Sequence, residues 1–114
     1  MMTILSATTL IGNKVENPAG ENLGEIREIM LDVEMGKIAY AVLDFGGFLD
    51  IGNKLFAVPW EALSLNTAKD CFVFDVNKQT LEQAEGFVQN DWPDFANDKW
   101  NEETYDYYGY QRYW

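Results

Sequence analysis

The sequence predicts an all-β fold, a small antiparallel β-barrel followed by a short-helical, aromatic and acidic extension. Three observations point there. Turn residues punctuate residues 12–76 at short intervals, the stretches between them alternate in β fashion, and the composition changes after Val76.

Pro18-Ala19-Gly20-Glu21, Glu34-Met35-Gly36, Gly46-Gly47, Ile51-Gly52-Asn53 and Asn66-Thr67-Ala68 separate short apolar stretches. Turns this frequent leave room for about five or six short strands and little for helices. Within the stretches, Ile38, Tyr40 and Val42 fall on one strand face, and so do Phe56, Val58 and Trp60. Phe72, Phe74 and Val76 alternate with Cys71, Val73 and Asp75. Apolar residues on both faces suit a barrel filled inside and partly covered outside. Pro59 cannot donate to a ladder, so it should end an edge strand, with Glu61-Ala62-Leu63 turning away.

Residues 23–33 read two ways. Leu23, Ile26, Ile29, Met30 and Val33 have helical spacing. Alternatively, Ile29, Leu31 and Val33 form a strand face, with Ile26 out of phase by one residue, an offset that a β-bulge absorbs. Gly20, Gly24 and Gly36 lean towards strand.

Beyond Val76, residues 77–84 have the look of one or two helical turns. Residues 79–114 carry eight acids against Lys99 and Arg112, and hold 10 of the chain's 17 aromatic residues. This shift places a boundary near Lys78, dividing a barrel (5–78) from an extension (79–114). Rings at Phe87, Trp92, Phe95 and Trp100 are too apolar for a disordered segment and should pack on the barrel. Asp98 is the expected cap of a helix from Lys99 to Tyr108, with Trp100, Thr104, Tyr107 and Tyr108 on its buried face. Gly109 ends it and leaves residues 110–114 projecting or gripping a neighbour.

Charge narrows the function. The chain has 114 residues, with 19 acids, 8 bases and no histidine, for a formal net charge of −11. It should repel nucleic acid, whose binding rests on Lys and Arg displacing counterions, and anionic membranes likewise. The N-terminus has no basic region or apolar run of the signal-peptide kind, and no stretch has the length of a membrane span. The expected location is the cytoplasm, without membrane insertion.

Catalytic chemistry finds no foothold. Without histidine and with Cys71 alone, zinc and copper sites of the usual type are excluded within one chain. Cys71, inside an apolar strand, reads as a small hydrophobe. The densest acids are Asp91, Asp94 and Asp98, but a calcium loop starting at Asp94 would need glycine and glutamate where Lys99 and Tyr105 stand. Ser6 and Ser64 lack a nucleophile's setting, and no glycine-rich phosphate loop is present. The chain is expected to be no enzyme, with no cofactor and no metal.

Six segments in order carry a family likeness: residues 10–15, 20–26, Leu31-Asp32, residues 36–43, 46–52 and 56–63. Together they resemble the PRC-barrel domain, found in the cytoplasmic part of the photosynthetic reaction-centre H subunit and the C-terminal half of a ribosome maturation factor. Gly86-Phe87, Asp91-Trp92-Pro93-Asp94 and Asp106-Tyr107-Tyr108-Gly109 resemble the extension of short stand-alone bacterial members. The resemblance implies a PRC-type barrel with residues 23–33 as strand. It also implies a habit of docking on other proteins, and it brings no catalytic residues. The transmembrane helix of the one relative and the additional barrel of the other have no counterpart, so neither role carries over.

The expected function is therefore a non-catalytic interaction or assembly module, a homodimer whose further protein partner is unknown. The alternative is a small-ligand or cation-binding protein that uses the barrel mouth and the acidic tail. The candidate interaction surface comprises Gly47, Phe48, Leu49 and Ile51 in a glycine-flanked loop, with Trp60, Tyr110, Tyr113 and Trp114. That loop could instead plug a barrel end, and Trp60 suits a core position as well as an interface.

Overall fold

The computed structural model describes residues 4–45 and 54–114. Ser6 caps a single helical turn, α1 (Ala7–Leu10), whose Leu10 enters the core. Six strands follow: β1 (Lys14–Glu16), β2 (Asn22–Asp32), β3 (Lys37–Phe45), β4 (Lys54–Pro59), β5 (Leu63–Asn66) and β6 (Cys71–Phe74). They form one curled sheet in the order β4-β3-β2-β1-β6-β5. The fold is mostly β, as expected, but not wholly antiparallel, because β1 and β6 run parallel with Val15 opposite Phe72. The long chain path between these two strands leaves their relative direction free, whereas the hairpins β2–β3 and β5–β6 must be antiparallel.

Residues 23–33 lie on β2 and its turn, and the bulge is present. Arg27 is the extra residue between the pairs Ile26↔Leu43 and Glu28↔Val42. It lets Ile26 and Ile29, three apart, both face the same core, which a regular strand would forbid. The strand face expected of Ile29, Leu31 and Val33 does not stay packed along its length, because past Met30 the hairpin leaves the barrel and Leu31 and Val33 are exposed. Gly24 lets β2 lie close against the end of β3. At φ +118° its missing Cβ would stand 1.9 Å from the Asp44 carbonyl oxygen.

The concave face holds the first core: Val15, Leu23, Ile26, Leu43, Phe56 and Phe74 among others, with Trp60 packed against it. Fully burying each such side chain contributes about 1.5–3 kcal/mol. Leu81 and Ala84 on and after α2 (Lys78–Gln83) fill this same core, on the far side of the compositional boundary at Lys78. Pro59 does end an edge strand, after which residues 60–62 make one 3-10 turn. The free edge of β4 is closed by Phe87, which exchanges two 2.8 Å backbone hydrogen bonds with Leu55.

The convex face of β3 and β4 carries a second core of Ala39, Tyr40, Ala57 and Tyr105. It exists because α3 (Asp98–Tyr108) lies across it. Asn97, not Asp98, caps that helix: its side chain accepts from the Trp100 N–H at 3.1 Å, and Gly109 ends it in the left-handed region. The buried face is Asn101 and Tyr105, with Trp100, Thr104 and Tyr108 half-buried, while Tyr107 is exposed. The expected face is thus turned by one residue.

Candidate interaction surface

Gly47, Phe48, Leu49 and Ile51 lie outside the described residues. The other four candidates separate. Trp60 is half-buried and stacks obliquely on Phe72 in the first core, with ring centroids 5.7 Å apart. Tyr110 is exposed. Tyr113 and Trp114 do not project, since both fold back on their own chain. The Tyr113 hydroxyl donates to the Ile38 carbonyl, and its ring receives the Lys37 ammonium at 5.4 Å. Trp114 is half-buried under the Arg112 guanidinium, 4.2 Å from its ring.

Tyr40 organises this packing. Phe95, Trp100, Tyr105 and Trp114 surround its ring at centroid distances of 5.3–5.7 Å. Its hydroxyl donates to Asn101 Oδ1 at 2.8 Å, and the Asn101 amide donates to the Phe95 carbonyl at 2.9 Å. Tyr105 donates to the Ala39 carbonyl at 2.6 Å and accepts from Trp114 Nε1 at 2.9 Å. Burial pushes the Tyr105 phenol up to about 12, raises Tyr40 further with help from the neighbouring Tyr105, and raises Tyr108 and Tyr113. Burial also raises the Cys71 thiol, whose Sγ donates to Glu16 Oε1 at 3.5 Å. These groups are already neutral at pH 7, so the shifts move them away from acid–base work and from thiolate chemistry.

Two surfaces remain open. The first is the far half of β2. Its edge away from β3 is covered by β1 and the turn before it, up to the Ile26 N–H bonded to the Asn13 carbonyl at 2.9 Å. Beyond Ile26 that edge meets no other strand among the described residues. The hairpin it leads to exposes Leu31 at 59%, Val33 at 83% and Met35 at 54%. Periodicity alone puts Leu31 and Val33 on one strand face with Ile29. Their position at a hairpin end, beside the Glu34-Met35-Gly36 turn, is the signal that separates them from Ile29.

The second is a groove of about 710 Å³ between the segment after α2 and one side of α3. Phe87, Trp92, Trp100 and Tyr107 line it, and Glu85, Asp91, Asp94 and Glu103 stand in its wall without a basic residue among the lining. Among the described residues, no three His, Cys, Asp or Glu side chains gather as a metal site, and no helix is long and apolar enough to cross a membrane.

The family model of the PRC-barrel domain matches residues 2–81. No curated protein matches the chain.

Proposed function

We propose, because the chain belongs to the PRC-barrel domain family, that it is a non-catalytic interaction and assembly module that pairs with a second copy of itself. The observation that carries this reading is the edge of β2 beyond Ile26, which no strand among the described residues pairs, continued by the exposed Leu31, Val33 and Met35. An unpaired edge offers a row of backbone donors and acceptors to an incoming strand, and apolar side chains beside it supply burial. Antiparallel addition about a two-fold axis joins the edge to its own copy, which is the commonest route to a dimer. The net charge of −11 weighs against a polyanionic partner such as nucleic acid. The lack of histidine and the upward-shifted phenols and thiol weigh against catalysis. The groove is open to solvent, which suits a segment of chain better than an enclosed small molecule.

Light scattering tests the pairing. The chain should weigh near twice the 13.1 kDa of one copy at high micromolar concentration. The paired fraction should rise with salt, since screening weakens the repulsion of two acidic chains. Leu31→Lys with Val33→Lys should return it to a single copy, with melting changed by no more than about 0.5 kcal/mol per site, as usual for surface positions. A single-copy mass at every concentration, or a double variant that still pairs, would overturn the reading.

A further inference from the structure

We infer that the groove beside α3 is a docking site for an extended, arginine- or lysine-bearing segment of a partner protein. Its walls come from different parts of the extension. Glu85 and Phe87 follow α2, Asp91, Trp92 and Asp94 lie in the connection to α3, and Glu103 and Tyr107 stand on α3 itself. Phe87 is fixed by its bonds to Leu55, and Gly86 is required beside it, because a Cβ there would lie 2.5 Å from the Leu55 carbonyl oxygen. Trp92 stacks on Phe87 at 5.2 Å, and Trp100 stands against Phe95 at 5.1 Å, so the aromatic wall is held in place before any ligand arrives. Val88 and Tyr107, 49% and 48% exposed, leave apolar surface open within the groove.

Charge decides the occupant. Glu85, Asp91, Asp94 and Glu103 line the groove; of these four, among the described residues, Glu103 alone has an ion-pair partner, the exposed Lys99 at 3.8 Å, and Asp94 Oδ1 accepts from the Ala96 N–H at 3.0 Å. Arg112 is engaged with Asp98 and Glu102, Arg27 with Asp44 and Lys69 with Glu16, while Lys54 stands at the groove margin, its ammonium donating at 2.9 Å to the carbonyl of Ala84 in the lining. A second copy of the chain, at −11, would bring repulsion to this groove, and so would a polyanion. A guanidinium or ammonium instead meets both carboxylates and indole faces, so ion pairing and cation–π attraction act together. An open trough of aromatic rings suits an extended backbone, which loses little freedom on docking when proline holds it straight. This inference does not depend on the pairing of two copies.

The probe is a fluorescein-labelled peptide of alternating arginine and proline, read by anisotropy at about 0.15 M salt, with a glutamate–proline peptide and spermine as comparators. Two triple variants separate the groove from the general field: Glu85→Gln/Asp91→Asn/Asp94→Asn in the groove, and Glu25→Gln/Glu61→Gln/Asp70→Asn at exposed barrel positions away from both the groove and the hairpin. Both remove three charges. The groove variant should weaken binding about tenfold and the barrel variant less than about twofold. Running the same titration in the Leu31→Lys/Val33→Lys chain should leave the affinity unchanged. Absence of arginine–proline binding, equal weakening in both triple variants, or spermine binding as tightly with the same groove dependence would each overturn the proposal.

Discussion

Asn101 is the residue on which the seam between extension and barrel depends. Buried to 1% exposure, it satisfies the Tyr40 hydroxyl on one side and the Phe95 carbonyl on the other. Replacing it with leucine strands both groups away from water, at about 1–3 kcal/mol each. Asn101→Leu should therefore lower the urea-unfolding free energy by about 2–4 kcal/mol, and adding Tyr40→Phe should recover part of that loss. A change below about 0.5 kcal/mol, or strict additivity of the two, would show that the bridge is immaterial. The role was hidden in the sequence because an asparagine inside an aromatic helix reads as solvent-facing. Asn101, Tyr105 and Tyr108 do have the spacing of one helical face, but only the position of Tyr40 reveals why a polar residue belongs in it.

At the scale of elements, α3 gives the sheet a second buried face. Tyr40 on β3 and Tyr105 on α3 are each 1% exposed, and fully burying such a ring contributes about 2 kcal/mol. A chain ending at Asn97 loses the helix and uncovers Tyr40, so its melting temperature should fall by about 15 °C or more. Scanning calorimetry on the shortened chain checks this, and an unchanged transition would mean the helix merely rests on the sheet. The existence of this helix, its glycine stop and the turns of β2–β3 and β5–β6 were legible from composition and spacing. The cap was not, because Asn97 and Asp98 are both good capping residues and sequence alone cannot rank neighbours. The buried face centres on Asn101 and Tyr105, so of the four residues expected on it Tyr107 alone is exposed, and it lines the groove. The groove itself was out of reach, since its carboxylates and rings meet only after the connection to α3 has folded over β4.

For the molecule as a whole, the tyrosines set an alkaline limit. The folded state holds the Tyr105 proton more tightly than the unfolded chain, whose phenols ionise near 10, and Tyr40, Tyr108 and Tyr113 are shifted in the same direction. Raised folded values mean that this stabilisation is complete below about pH 10 and is lost as pH rises from there through about 12. Urea midpoints should be flat with respect to these groups up to about pH 10 and fall beyond it, with tyrosinate absorbance appearing together with loss of the fold. A midpoint that holds through pH 12 would show the phenols ionising without unfolding.

The parallel pairing of β1 with β6 also sets a clock. The hairpin of β2 and β3, and the strand β4 that follows, can close from local contacts as the chain emerges, but the outer side of β1 waits for residues 71–74. Contacts between distant parts of a chain bring a loop-closure cost that is recovered only late, which slows folding. Val15 and Phe72 meet only after β5 and β6 have emerged, and that event joins both strands to the sheet, leaving Leu81 and Ala84 still to enter the first core. A nascent chain halted before that event carries an open seam through its core, and it is at that moment, rather than in the finished protein, that the sheet is most vulnerable to joining the wrong strand.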